Sequence, residues 1–250
     1  MLEDKFHLTK EQNRRYARSN LTKLVYVSSR FEGLNTTLPQ TQTIIDGLGV
    51  DGVSIDDINI IVQLKRGWQY VINTDKTLDM DYLKNINRIV ALNESLAPGE
   101  LRTGDGGVDT YLGDYKPDAV DQQQETNFLE QIQQKANYSI TDQALTLMYH
   151  LMRKQIFWDG NKRTATLAAN KLMIDHGAGL INVPLDKWPT WNNLIAEYYF
   201  SDNMNELKDW TYNNGIQGIN LAPNHEKNRI QDNNISLNNS LLSRHEGKIR

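Results

Sequence analysis

Residues 155–173 read Gln-Ile-Phe-Trp-Asp-Gly-Asn-Lys-Arg-Thr-Ala-Thr-Leu-Ala-Ala-Asn-Lys-Leu-Met, and the five from Asp159 to Arg163 could do chemistry. They stand where an alanine-rich helix begins. A helix start presents backbone N–H groups without partners and the positive end of the helix dipole. Gly160 lets a ligand approach the backbone, Asn161 is suited to cap the helix, and Lys162 and Arg163 add cationic donors. The anion that suits several donors plus a fork-shaped guanidinium is phosphate. Asp159 beside a phosphate then calls for Mg²⁺ between them. The alternative is an ordinary Asp-Gly-Asn turn followed by a solvated Lys-Arg pair.

Helical spacing supplies the elements that would hold this knot. Thr9 and Gln12 match a capping box opening a helix that carries Leu24, Val27 and Phe31 toward its far end. Ser54 and Asp57 begin another, with Ile55, Ile58, Ile61 and Val62 on one side; a third is expected near Asp79 to Leu96. Further helices are expected over Val120 to Ala136, Thr141 to Lys154, the stretch ending at Gly177, the region of Trp188 to Tyr198, and Met204 to Asn213. Pro98 to Asp118 is the exception: its glycines and prolines exclude helix, Gly104 to Gly107 is turn chemistry, and the flanks fit a small hairpin. From Ala222 the chain turns Asn-rich and reads as a flexible tail, with a short helix near Leu237 to Leu242. The division expected is 1–53, an N-terminal helical region; 54–221, the core; and 222–250, the tail.

Bulk properties narrow the classes. A chain of 250 residues can bury a real core, and a net charge of −4 gives no electrostatic reason to bind nucleic acid or an anionic membrane. There is no cysteine, so disulfides and thiolate metal sites are excluded. The polar start lacks the apolar segment of a signal peptide, and no stretch nears the roughly 18 apolar residues of a membrane span. A cytoplasmic protein is the expectation. His150 and His176 lack a second ligand at i+4, and neither an EF-hand spacing at Gly104 nor a P-loop is present.

The stretch resembles the signature of the Fic (fido) family, H-x-F-x-[DE]-G-N-[GK]-R-x-x-R, laid over Gln155 to Thr166. Pro98 to Arg102 and the glycines after it resemble that family's hairpin flap, with Gly99 and Arg102 at the target-docking segment. Ser28-Ser29-Arg30-Phe31-Glu32-Gly33 resembles its inhibitory pattern [ST]-x-x-x-E-[GN], marked by Ser28, Glu32 and Gly33. The resemblance spans about Leu24 to Asn213. It implies an all-α Fic-fold helical bundle with a small β-hairpin flap, and transfer of AMP from ATP to a hydroxyl of a target protein. It also implies Asp159 as the Mg²⁺ ligand, Gly160 and Asn161 as the phosphate cradle with Lys162 beside them, Arg163 as a phosphate clamp, and Glu32 as an intramolecular brake.

Three positions depart from the pattern. The family's His, a general base, is Gln155, which removes a step typically worth about 10²–10⁴-fold. The second Arg is Thr166, which leaves Arg163 or Lys162 as the expected partner of Glu32. Lys162 stands where Gly is commonest, and Asn-Lys-Arg-Thr-Ala resembles the Doc branch, whose members transfer the terminal phosphate. The leading expectation is an adenylyltransferase-type protein weakened at Gln155; Doc-like phosphoryl transfer and a non-catalytic nucleotide-sensing or partner-binding module are the alternatives. Arg102 is open to two readings, target contact and solvated flap residue. The target protein is unknown, and a homodimer is left open.

Overall fold

The computed structural model describes residues 2–135 and 137–221. Helical spacing becomes helix where a cap residue precedes it. Thr9 and Gln12 bond reciprocally and α1 runs Lys10–Ser19. The single helix expected through Phe31 is broken at Asn20, whose side-chain amide donates to the Tyr16 carbonyl in competition with the backbone ladder. After the break come α2 (Leu21–Ser28) and a 3-10 turn, Ser29–Glu32, which Gly33 closes at φ +71°. The sequence reading omits α3 (Leu38–Ile45), although Thr37 and Gln40 form a second capping box and a proline lies in its first turn. Ser54 caps α4 (Ile55–Asn73) and Asp79 caps α5 (Met80–Val90), which stops short of Leu96.

The hairpin pairs β1 (Val108–Thr110) with β2 (Gly113–Tyr115), and Thr110 opposes Gly113. Its tip is therefore Tyr111 and Leu112, and the Gly104–Gly107 turn expected to form it lies before the first strand. Next come α6 (Gln122–Gln133), α7 (Ile140–Lys154) and α8 (Asn161–His176). A second small antiparallel pair, β3 (Leu180–Ile181) with β4 (Ile216–Gln217), encloses α9 (Trp188–Ser201) and α10 (Asn205–Gly215).

Helix α8 is the axis of the fold. It touches α7 along its length and meets α1, α4 and α5 on its other sides. Ala165, Ala168 and Ala169 are fully buried there, and such small side chains let neighbouring helices approach closely. Asn170 on the same helix exchanges both amide groups with the Ile181 backbone, tying β3 to the axis. No helix among the described residues is long and apolar enough to cross a membrane. The expected tail from Ala222, with its short helix, lies outside the described residues.

Gly67 marks how tightly α4, α5 and α8 meet. A Cβ at this position would lie 2.5 Å from Val90 Cγ1 and 2.8 Å from Leu167 Cδ2. Gly67→Ala gains about 1 kcal/mol of helix propensity but overpacks a close-packed junction, a cost of about 1–3 kcal/mol. A net loss of stability in urea denaturation is expected; a net gain would mean the junction has room to relax.

Candidate functional site

The site begins where α7 ends. Gln155 caps that helix in the left-handed region, at φ 47° and ψ 53°. Its side-chain amide donates to the Met152 carbonyl at 2.6 Å, so it folds back on its own helix. Phe157 is buried and pairs with Leu101 as a β-bridge. Gly160, at φ +70°, caps α8 with no side-chain hydrogen bond, and a Cβ there would lie 2.8 Å from the Ala91 Cβ. Asn161, expected to cap the helix, does not. Its Oδ1 accepts the Phe157 N–H and its Nδ2 donates to the Phe157 carbonyl, both at 2.9 Å, bracing the loop from within.

Asn87 is a site residue that sequence reasoning missed. Fully buried on α5, it donates to the Asp159 carbonyl at 2.8 Å and accepts the Gly99 N–H at 2.9 Å. Gly99 thus belongs to the buried foundation of the loop. Arg102, expected at the flap, is also buried: its guanidinium donates to the carbonyls of Gln155 at 2.6 Å, Gly104 at 2.8 Å and Asp118. It is neither solvated nor turned outward, since those carbonyls use its donors; it fastens the base of the flap to the loop.

Arg163 is fully buried and surrounded by acids. Its Nη1 donates to the Val90 carbonyl and lies 2.5 Å from Glu94 Oε2, while its Nε lies 2.6 Å from Glu32 Oε1. Asp159 is more distant, at 3.7 Å. Neither Nε nor Nη2 completes a hydrogen bond, so Glu32 holds that edge of the guanidinium by charge alone. Burial pushes the Glu32 carboxyl above its ordinary range, against the pull of Arg163 and with help from Asp159 and Glu94. Burial likewise lowers the Lys162 ammonium, opposed by Glu32. Thr166 turns its hydroxyl back to the Lys162 carbonyl. Ser28 is buried and accepts the Trp68 indole N–H at 3.2 Å, and Gly33 closes the turn after Glu32.

Over this floor lies a cleft of about 370 Å³ lined by Glu32, Gln155, Trp158, Asp159, Gly160 and Lys162, among others. A second cavity of about 290 Å³ sits beneath the hairpin, between Tyr111, Trp188 and Tyr199. The hairpin tip reaches α9 through the Tyr111 hydroxyl, 3.0 Å from Glu197 Oε1. A helix start without a side-chain cap, a guanidinium edge that completes no hydrogen bond and a half-exposed carboxylate fit a phosphate with a divalent cation beside it. Glu32 stands on the same edge of Arg163.

Residues 77–173 match the family model described as Fic/DOC family. Protein adenylyltransferase fic-1 of Caenorhabditis briggsae is 24% identical over 212 residues, which cover 78% of this chain and 39% of that protein. Protein adenylyltransferase Fic of Drosophila mojavensis is 28% identical over 171 residues, covering 64% of this chain and 33% of the relative. The chain thus spans between a third and two fifths of the length of these curated relatives. A Fic domain containing signaling protein from Bacteroides thetaiotaomicron superposes with TM-score 0.69 at 17% identity, covering 82% of this chain and 86% of that one. Fic-1 from C. elegans superposes with TM-score 0.63 at 16% identity over 82% of this chain and 69% of that one. At such identities the superpositions establish the fold: a Fic-type helical bundle with a small hairpin.

Arg163→Met would remove a fully buried charge from between two partly buried carboxylates and should cost about 3 kcal/mol in urea denaturation. Adding Glu32→Gln and Glu94→Gln should recover most of the loss; no recovery would mean the damage is steric. The raised Glu32 carboxyl gives a pH signature. Its contribution to stability is full below the ordinary carboxylate value and is lost as pH rises through the raised one. Relative to Glu32→Gln, wild type should therefore gain stability on acidification across that window. A difference that stays flat with pH would show that Glu32 is not desolvated.

Proposed function

We propose that this chain, whose residues 77–173 form a Fic/DOC family domain, binds ATP with Mg²⁺ at the start of α8 as a protein of the adenylyltransferase type. The observation that carries the reading is the Glu32 carboxylate on the Nε edge of Arg163, beside Asp159 and the uncapped Gly160 turn. Residues 1–53 would supply the brake and 54–221 the core, and a cytoplasmic setting belongs to the same proposal.

The reaction is attack of a target-protein hydroxyl on the α-phosphorus of ATP, with pyrophosphate leaving and AMP retained on the target. Mg²⁺ bound with ATP would neutralise phosphate charge. Asp159 would hold the metal, Gly160 would admit the phosphates to the backbone, and Lys162 and the free edge of Arg163 would clamp them. Glu32 must leave Arg163 for the clamp to close. Gln155 cannot accept the hydroxyl proton, because an amide has no useful basicity. Transfer is accordingly weak. A second reading, a nucleotide-sensing or partner-binding module without transfer, is favoured by the same amide lying buried against the Met152 carbonyl.

Calorimetry with ATP and Mg²⁺ tests the first step. Glu32→Gly should raise affinity only modestly, because Glu94 still compensates Arg163. No ATP binding by wild type or Glu32→Gly would end the nucleotide reading. Chemistry is tested at Gln155. Histidine, whose unperturbed pKa is about 6.5, accepts protons near neutrality and tolerates left-handed backbone. Gln155→His with Glu32→Gly should incorporate α-labelled ATP into protein, far above wild type. Equal incorporation by both would show that Gln155 is no defect, and γ-label alone would assign Doc-like phosphoryl transfer.

A further inference from the structure

Phe31 is the residue before the brake, and it is common to both cavities: it lines the cleft over the loop and the cavity beneath the hairpin. Its ring lies 4.9 Å from that of Trp188 and 5.8 Å from that of Trp191, which are 5.4 Å from each other. Both indoles are fixed to the scaffold, Trp188 by the Val183 carbonyl at 3.1 Å and Trp191 by the Tyr149 hydroxyl at 2.9 Å. The aromatic seat is therefore stiff while its occupant belongs to a short turn. That turn, Ser29–Glu32, is four residues long, leaving little slack between the ring of Phe31 and the carboxylate of Glu32. Upstream it is held at Ser28 by Trp68. Downstream Arg30 reaches the Leu34 and Thr36 carbonyls. Between those ties the turn is closed by backbone hydrogen bonds from Gly33 to the Arg30 carbonyl and from Leu34 to the Ser29 carbonyl. Among the described residues the Glu32 carboxylate forms a salt bridge with Arg163, and its neighbour Phe31 packs on the two indoles.

We propose that Phe31 is the positioning residue of the Glu32 brake: an aromatic latch on Trp188 and Trp191, displaced by any ligand long enough to reach from one cavity into the other. The inference rests on the nucleotide reading above. A nucleotide has the required shape, with a phosphate end for the helix start and a flat apolar end for the outer cavity. Its passage shifts Phe31, and Glu32 moves with it, so ligand entry and release of Arg163 are one event.

The experiment is a binding cycle with ATP and Mg²⁺ on wild type, Phe31→Ala, Glu32→Gly and the double variant, read by calorimetry and intrinsic tryptophan fluorescence. Phe31→Ala should tighten ATP about three- to tenfold, the scale of one or two aromatic pairs. In the Glu32→Gly background the same change should alter affinity less than about twofold, since a residue acting through Glu32 has nothing left to act on. Saturating ATP should change fluorescence in wild type more than in Phe31→Ala, whose seat is already empty. Phe31→Leu keeps an apolar side chain on the indoles and should stay nearer wild type, separating the latch from a folding defect. Weaker binding by Phe31→Ala in both backgrounds would make Phe31 a cavity wall and overturn the proposal, as would equal tightening in both. Absence of ATP binding by Glu32→Gly overturns the nucleotide reading and this inference with it. Binding by Glu32→Gly, with the wild-type affinity left unchanged by Phe31→Ala, overturns the latch alone.

Discussion

A guanidinium with no exposure to solvent, set in the first turn of the central helix, cannot stand without negative charge beside it. Removing an ion from water costs several kcal/mol even after the surroundings relax. Arg163 meets that cost with Glu94, from the loop after α5, and Glu32, from the turn after α2. Three stretches distant in sequence are drawn together by one buried charge. Glu32 is therefore part of what makes the helix start stable, and whatever removes it must leave Arg163 with another anion. In the nucleotide reading, phosphate would meet that condition.

The two halves of Arg163 serve different ends. Nη1 is anchored by Val90 and Glu94, so the plane of the guanidinium is set by the scaffold. The Nε and Nη2 edge carries charge contact without hydrogen bonds. Around it Asn87, Asn161 and Arg102 spend their polar groups on backbone carbonyls and N–H groups of the loop. Those three residues brace the loop and its surroundings, while Asp159 and Lys162 line the cleft above it.

Much of this was legible in the sequence. Capping boxes and apolar spacing located most helices, because both signals are local. The loop at the start of α8 was legible for the same reason: Asp159 to Arg163 are contiguous. Asn161 was given the wrong bond, since an asparagine at a helix start can serve the helix or the loop before it, and spacing does not decide which. Glu94 and Asn87 were invisible, because Arg163 lies 69 positions from Glu94 and Asp159 lies 72 from Asn87. Arg102 was read as a flap residue because nothing local tells a solvated arginine from one fastened to distant carbonyls. The hairpin was displaced from the glycines for a similar reason: Gly104 packs on Trp158 and Gly106 on Arg102.

The tyrosine at the hairpin tip sets a kinetic condition on the outer cavity. Its bond to Glu197 is exposed, and a net hydrogen bond contributes only about 0.5–1.5 kcal/mol even before competition from water. The hairpin has two strands of three residues each, too short to be stable without support. It is therefore a roof on a weak catch over a rigid floor. Molecules would exchange past the tip as fast as Tyr111 parts from α9, while Tyr115 at the hairpin's base stays buried and stacked on Tyr199.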